Sequence, residues 1–240
     1  MEKIEQYGHS RYDIFNDWVD LMLYSLQGHN ENYLGVVKKY DNDQPDGQRP
    51  ADLYSQAFGE LQRGLAETDA DLLGVVYEEL GMDSDAFGQY FTPGNICDAK
   101  AEMVIDVDAD REAPYTIADP TSGSGRLLLY AARKIPDGVD AVFYGQDKDS
   151  TCAKMTALNL CFFNLDGYAV HGDSLTMEQH SVWRTRGTPL GGGIWELNET
   201  EFPDIVYEAV NQEIDGSSTT ADESDLVEIE ESEGTVLTDF

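Results

Sequence analysis

One glycine-containing turn constrains this chain more than any other feature of its sequence. The turn consists of Asp119, Pro120, Thr121, Ser122, Gly123, Ser124 and Gly125. Residues 115–118 before it predict a strand, and residues 126–132 after it predict the start of a helix. Gly123 and Gly125 allow backbone torsions closed to other residues and carry no Cβ that would obstruct a ligand. A strand, a glycine turn and a helix in this order predict a ligand-binding loop, with Asp119 at the carboxyl end of the strand.

The pattern of alternating strands and helices continues beyond this turn. Strands are predicted at 115–118, 142–144 and 168–170, with helices at 124–134 and over 150–162, the second capped by Ser150. This alternation predicts an α/β fold with a parallel sheet and right-handed crossovers. Past Leu175 we expect a loop over 183–193 and short strands at 194–197 and 205–207.

The region before the turn predicts helices. Apolar residues recur at helical spacing over 10–27, 53–65 and 72–80, and residues 41–50 form a polar break with two prolines. Thr92 is expected to cap a helix that Pro93 opens and that ends near Val104. We therefore expect a helical domain over 1–86 and an α/β domain over 87–210. Residues 211–240 contain no Lys or Arg and predict a disordered acidic tail.

The charge balance is strongly acidic. Asp and Glu number 47 against 15 Lys and Arg, giving a formal net charge of −32. This composition fits an acidic interaction protein or nucleic-acid mimic, and it also fits adaptation to multimolar salt, which the even spread of acids favours. At molar salt the Debye length falls to about 3 Å, so the net charge does not exclude DNA as a partner. No basic patch indicates DNA binding either.

The cysteines and the amino terminus indicate a cytoplasmic protein. Cys97, Cys152 and Cys161 form an odd set without a C-x-x-C pair, which argues against a disulfide framework and against a zinc site. We expect no metal. The first residues lack a secretory apolar region, and no apolar run approaches the roughly 20 residues that cross a bilayer, so no membrane association is expected.

The glycine turn fits neither of two common nucleotide motifs. A dinucleotide fingerprint needs a third glycine at position 128, which is Leu128, and a P-loop needs Lys where Arg126 follows Gly125. Instead, the predicted strands end in three acids: Asp119, Asp147 and Asp173. Such acids can accept hydrogen bonds from an ammonium group, from ribose hydroxyls and from an adenine amine, respectively. S-adenosylmethionine carries these three groups and no phosphate, so the residues predict S-adenosylmethionine as the cofactor.

Four motifs in order cover residues 87–175. The first is Gly88, Gln89, Tyr90, Phe91, Thr92 and Pro93; the others are 119–125, 145–147, and Asn159-Leu160 followed by 172–175. They resemble the motifs of N6-adenine DNA methyltransferases, specifically modification subunits of type I restriction systems. Ser122 stands in place of the family's usual Cys, and Asp147 in place of Glu. The resemblance implies a Rossmann-like methyltransferase sheet, here incomplete, after an all-helical domain. It also implies that residues of the first motif touch the methionine part of the cofactor.

The resemblance stops at the catalytic motif. That family uses [NDS]-P-P-[FY] to hold the flipped adenine, and no Pro-Pro pair occurs in this sequence. The catalytic residues are therefore unassigned, and the later strands and a target-recognition domain are expected to be missing. Two main hypotheses stand. One is a divergent DNA methyltransferase with a substitute motif around 183–195, where Arg184 and Arg186 could meet a phosphate. The other is a cofactor-binding module without catalysis, which would sense the cofactor or form a complex with a catalytic or specificity partner chain that contacts DNA. A third, an acidic decoy acting through the tail, is favoured only by the net charge.

Overall fold

The computed structural model describes residues 2–82, 91–105 and 114–200, together with a two-residue strand at 235–236. The chain divides into two compact units, Met1–Phe91 and Thr92–Phe240. Gln89, Tyr90, the predicted strand at 205–207 and most of the predicted tail lie outside the described residues. The disorder of that tail stays a prediction, although Thr235–Val236 forms a strand.

Five helices make up the described part of the first unit. They are α1 (Glu2–Glu5), α2 (Arg11–Gln27), α3 (Asn30–Val37), α4 (Pro50–Glu67) and α5 (Leu72–Glu79). Helix α2 begins after Ser10, whose side chain accepts the Asp13 N–H, and it ends at Gly28 with a φ of 72°. The three predicted helices are present. Helix α3 was not predicted because it buries only Val36 and so has no apolar stripe.

A buried hydrogen-bond chain joins three segments of the first unit. The Tyr54 hydroxyl donates to the Tyr40 hydroxyl at 2.7 Å, and Tyr40 donates to Asp17 Oδ2 at 2.6 Å. Lys39 Nζ donates to the other Asp17 oxygen at 2.6 Å. Burial raises the pKa of both tyrosines, so both hydroxyls stay protonated donors. The buried Asp17 carboxylate is thus held by two donors, which offsets its loss of hydration.

The described part of the second unit contains a six-stranded mixed sheet flanked by three helices. Its elements are α6 (Gly94–Val104), β1 (Tyr115–Asp119), α7 (Arg126–Ala132), β2 (Ala141–Asp147), α8 (Ser150–Phe162), β3 (Gly167–Asp173), β4 (Glu178–Arg186), β5 (Gly193–Glu196) and β6 (Thr235–Val236). The strand order is β5-β4-β3-β2-β1-β6. Strands β1, β2, β3 and β6 run parallel, and β4 and β5 are antiparallel to their neighbours. The predicted parallel β-α-β-α-β core is confirmed as part of this mixed α/β sheet.

Apolar packing fixes the helices on the sheet. Ile117 of β1 and Phe143 of β2 pack against the buried leucines Leu127 and Leu128 of α7 and Leu160 of α8. Residues of α7 and α8 share one core cluster with β1 and β2, as expected for two right-handed crossovers between adjacent parallel strands, which place their helices on the same face of the sheet. This arrangement brings the amino ends of both helices to the edge where the parallel strands end.

The loop predicted at 183–193 is wrong over its first four residues, which belong to a strand. Residues 178–186 form β4, which pairs antiparallel with β3, and only 187–192 connect it to β5. Val182, Trp183 and Thr185 are buried, and the Arg184 guanidinium lies 4.3 Å from the centre of the Tyr168 ring. Pairing with β3 and this stacking favour a strand although the local sequence is polar. The strand predicted at 194–197 is confirmed as β5.

Two predicted helix starts are displaced by one residue. Pro93 has an extended ψ of 143° and precedes helix α6, which begins at Gly94, so Pro93 does not open the helix and Thr92 does not cap it. Helix α8 is capped by Asp149, whose side chain accepts the N–H groups of Thr151 and Cys152, and not by Ser150. Aspartate is as good a cap as serine, and Asp149 lies where both N–H groups can reach it.

We predict that Tyr40→Phe destabilises the protein by about 1–3 kcal/mol, because Tyr54 loses its acceptor and Asp17 loses a donor. The free energy of unfolding would be measured by chemical denaturation. Tyr12→Phe is the matched control, since Tyr12 is 48% exposed; it should change stability by less than about 0.5 kcal/mol. Equal stabilities of the two variants would contradict a role for the buried chain.

Candidate ligand-binding site

Three aspartates end three adjacent parallel strands. Asp119, Asp147 and Asp173 are the last residues of β1, β2 and β3. In the strand register Asp119 pairs with Gly145, and Asp147 pairs with His171. Each aspartate therefore lies two residues further along the sheet than the one before it. The three carboxyl groups form a stepped row along the edge where open α/β sheets bind ligands.

The glycine turn is held against the end of β2. The Ser122 N–H donates to the Gln146 carbonyl at 2.8 Å, and the Gly123 N–H donates to Asp147 Oδ2 at 2.8 Å. The turn also closes on itself, because the Gly125 N–H donates to the Ser122 carbonyl at 2.7 Å. Gly123 and Gly125 have φ values of 56° and 81°, which favour glycine. The turn predicted from the sequence is thus present and is attached to the neighbouring strand.

Side chains of helix α8 also hold the glycine turn through hydrogen bonds. Thr156 Oγ1 donates to the Gly123 carbonyl at 3.0 Å and lies 3.0 Å from Ser122 Oγ. Asn159 Nδ2 donates to the Ser124 carbonyl at 2.8 Å. Thr156 and Asn159 are fully buried. We did not predict this support from the sequence; its signal was two polar residues three apart in the otherwise apolar stretch 155–161.

Close packing makes glycine necessary at two positions beside Thr156. A Cβ on Gly125 would lie 3.2 Å from Thr156 Cγ2, and a Cβ on Gly145 would lie 2.7 Å from the same atom. Gly125 also has a positive φ, so its substitution combines backbone strain with crowding. The turn, the end of β2 and helix α8 therefore pack without space for additional atoms.

Burial and backbone donors control the Asp147 carboxyl. Asp147 Oδ1 accepts the Asp149 N–H at 2.8 Å, and Oδ2 accepts the Gly123 N–H. Burial raises the pKa of Asp147, although these backbone hydrogen bonds act in the opposite direction. Each carboxylate oxygen can accept a second hydrogen bond. Asp147 can thus anchor the turn and still accept hydrogen bonds from a ligand.

Asp173 has a different environment from Asp147. Its Oδ2 accepts from Lys148 Nζ at 2.8 Å, and its Oδ1 accepts the Leu175 N–H at 2.9 Å. The Lys148 ammonium lowers the pKa of Asp173, so this carboxyl ionises below the usual aspartate range. We did not predict the role of Lys148, although its position directly after Asp147 makes it the cation next to both strand ends.

Asp119 lies at the first step of the row. It is 3% exposed, and its Oδ1 accepts the Thr121 N–H at 3.1 Å. Pro120 stands between these two residues, so the chain turns immediately after the strand ends. The aspartate side chain thus helps to shape the first half of the glycine turn.

The remaining predicted site residues divide between the two units. In the second unit, the Thr92 carbonyl accepts from Arg126 Nη1 at 3.3 Å and from Cys97 Sγ at 3.4 Å, and Pro93 is exposed. In the first unit, the Phe91 ring is stacked with Tyr77, with ring centres 5.2 Å apart.

Two other kinds of feature are absent from the described residues. No group of three or more His, Cys, Asp or Glu side chains in these ranges is arranged to hold a metal ion. In the same part of the chain, no helix is both long enough and apolar enough to span a bilayer.

We predict that Gly125→Ala destabilises the protein more than Gly138→Ala does. Both glycines have φ near +80°, but a Cβ on Gly138 meets no atom within 4 Å. The Gly138 variant should lose about 1–2 kcal/mol from backbone strain alone, and the Gly125 variant a further ~1–3 kcal/mol from crowding against Thr156. Thermal and chemical unfolding of both variants measure the difference. Equal losses would mean that the contact with Thr156 relaxes freely.

The sequence of this chain is similar to those of several known proteins. A type II methyltransferase, M.MamI, from Microbacterium ammoniaphilum is 30% identical over 171 residues, which cover 57% of this chain and 47% of that protein. Two type I restriction enzyme methylase subunits from Methanocaldococcus jannaschii, MjaVII and MjaIX, are 27% and 25% identical and cover 50% and 61% of this chain. The chain spans 21% and 28% of those two subunits, and less than half of M.MamI.

No solved structure matches the chain. The sequence profile of the N-6 DNA Methylase family matches residues 68–196, which is more than half of the chain and includes the whole glycine turn and strands β1 to β5. The chain therefore belongs to the N-6 DNA Methylase family.

Proposed function

We propose that this chain binds S-adenosylmethionine at the carboxyl edge of β1, β2 and β3 and takes part in N6-adenine methylation of DNA. One observation carries the proposal: the glycine turn is hydrogen-bonded to Asp147, and Asp147 stands between Asp119 and Asp173 in the row of strand-end aspartates. When bound, S-adenosylmethionine would supply an electrophilic methyl group. The relatives, named as methyltransferases and methylase subunits, support the same function.

The ribose end of the cofactor fits Asp147. Both of its oxygens already accept a backbone N–H, and each retains capacity for one further donor. A ribose presents two adjacent hydroxyls, which can donate one hydrogen bond to each carboxylate oxygen. Two added donors would stabilise the ionised form of a carboxyl whose burial now disfavours it.

The other two groups of the cofactor match the ends of the row. The Asp119 carboxyl would accept from the ammonium of the methionine part, on the side of the glycine turn. Asp173, kept ionised by Lys148, would accept from the adenine amine. The residues assigned to cofactor binding are Gln89, Tyr90, Phe91, Thr92, Pro93, the seven residues of the turn, Asp147 and Asp173.

This assignment fits a Rossmann-like methyltransferase sheet preceded by a helical domain at 1–86, with an α/β domain at 87–210 and an acidic tail at 211–240. The proposed setting is cytoplasmic, at the high salt that the acidic composition favours. The DNA contacts, and a specificity or catalytic partner chain, follow from the relatives named as type I methylase subunits.

One sequence observation favours a second candidate function. The absence of any Pro-Pro pair leaves the sequence without the [NDS]-P-P-[FY] motif that holds the flipped adenine. A chain that binds the cofactor and depends on a partner for this motif would have the same pocket and no activity alone. The two candidates share the cofactor site and differ only in methyl transfer.

We predict that cofactor affinity falls on acidification at a higher pH than an ordinary aspartate would give. The pKa of Asp147 is raised by burial, so this carboxyl takes up its proton first as the pH falls and loses its charge toward the ribose hydroxyls. Asp173, with its lowered pKa, stays ionised over the same range. Titration calorimetry with S-adenosylmethionine between about pH 4 and pH 8 measures the change.

Charge-removing variants give the control for that titration. Asp147→Asn should weaken binding strongly at every pH, whereas Asp140→Asn, on the loop before β2, should bind as the wild type does. Full affinity of both Asp119→Ala and Asp147→Ala would overturn the pocket assignment.

We predict methyl transfer to adenine in DNA when the chain is incubated with tritiated S-adenosylmethionine, at low salt and at molar salt. Label in DNA from the chain alone supports the active enzyme. Cofactor binding without label, in all DNA tested, supports the partner-dependent candidate instead. Asp147→Asn serves as the blank, since it removes one carboxylate oxygen and so weakens both the proposed ribose contact and the anchoring of the glycine turn.

A further inference from the structure

A regular series of contacts joins helix α7 to the segment that contains Thr92 and Pro93. Arg126 and Tyr130 lie four residues apart on α7 and so share one face of the helix, and Lys134 follows at the same spacing just past the end of the helix. Arg126 Nη1 donates to the Thr92 carbonyl at 3.3 Å. Lys134 Nζ, beyond the end of the helix, contacts Glu102 at 2.5 Å and Asp98 at 3.1 Å on α6.

The middle contact of the series, between Tyr130 and Gly94, leaves no free space between α7 and the start of α6. A Cβ on Gly94 would overlap the Tyr130 hydroxyl, so the first residue of α6 lies directly against α7. Thr92, Pro93 and Gly94 are consecutive, which means that the position of Thr92 and Pro93 depends on this packing and on the Arg126 hydrogen bond.

Arg126 differs from the other two residues in its burial and its place in the chain. It is 9% exposed in a protein with few basic residues, and it follows Gly125 directly. A buried guanidinium loses hydration, and it is retained only where hydrogen bonds replace that loss. Arg126 lies one residue beyond the glycine turn and donates to the main-chain carbonyl of Thr92. This hydrogen bond fixes Thr92 within one side chain's reach of the turn.

We propose that Arg126 is a positioning residue that makes the pocket selective for the amino-acid end of its ligand. It does so by holding Thr92 and Pro93 beside the glycine turn, at the side where Asp119 ends β1. The inference rests on the proposed cofactor site, but it concerns one end of that site alone. At the ribose and adenine ends, Asp147 accepts from the Gly123 N–H and Asp173 from Lys148, and neither contact includes the Arg126 side chain.

Two ligands allow the amino-acid end of the pocket to be tested independently of the adenine and ribose ends. S-adenosylmethionine carries the amino-acid end, and methylthioadenosine has the same adenine and ribose without it. In calorimetry, Arg126→Met should weaken S-adenosylmethionine by roughly tenfold to a hundredfold, the effect of losing a charged hydrogen bond. The same variant should bind methylthioadenosine as the wild type does. Arg126→Lys keeps the charge without the planar fork and should give a smaller loss, for S-adenosylmethionine only.

Lys134→Met is the matched control, because it removes a cation from the same face of α7 at the end away from the turn. It should leave the affinity for both ligands unchanged. Equal loss of both ligands in Arg126→Met, or no loss of either, overturns the inference. If circular dichroism shows that Arg126→Met is unfolded, the same comparison of the two ligands is made with Arg126→Lys, and that result tests the inference. A wild-type protein that binds methylthioadenosine and S-adenosylmethionine equally overturns the positioning role alone, and one that binds neither overturns the pocket itself.

Discussion

The hydrogen bond from the Gly123 N–H to Asp147 Oδ2 connects the main parts of the candidate site. It attaches a turn that follows β1 to the last residue of β2, across 24 positions of the sequence. Thr156 and Asn159 of α8 then hold two carbonyls of the same turn. A turn fixed to one strand and one helix in this way needs little ordering when a ligand binds, and such preorganisation reduces the entropic cost of association.

The same edge of the sheet places two carboxyl groups in opposite electrostatic conditions. Asp147 loses hydration and has only neutral backbone donors, so its pKa is raised, whereas Asp173 has the Lys148 ammonium beside it and its pKa is lowered. The Lys148 side chain is 81% exposed, so dissolved salt screens its attraction to Asp173. The contacts of Asp147 are part-buried hydrogen bonds from neutral backbone N–H groups, so they are less sensitive to salt. In a chain with a net charge of −32, ionic strength therefore affects the Asp147 contacts less than the pairing of Lys148 with Asp173.

The parts of the structure that were predicted from the sequence are those with strong local signals. The glycine turn, the acid at the end of each parallel strand and helix α2 all followed from spacing and residue type. Strand β4 was missed because its polar sequence forms a strand only through pairing with β3 and through stacking of Arg184 on Tyr168. The support from Thr156 and the pairing of Lys148 with Asp173 were missed because they join residues distant in sequence. Short-range pattern carries no information about such contacts, which only the fold brings together.

The environment of Asp147 also indicates what a ligand would add at this position, namely further hydrogen-bond donors to the carboxylate. Two backbone N–H groups offset part of the cost of burying its charge, yet the pKa remains raised, so the offset is not full. A protein selected for stability alone would lower this cost by exposing the carboxyl or by pairing it with a cation, as Asp173 is paired with Lys148. A part-buried carboxylate whose oxygens can accept further donors favours a neutral hydroxyl-bearing ligand over a phosphate, which would bring two negative charges together. This electrostatic constraint supports the proposed ribose contact independently of any motif.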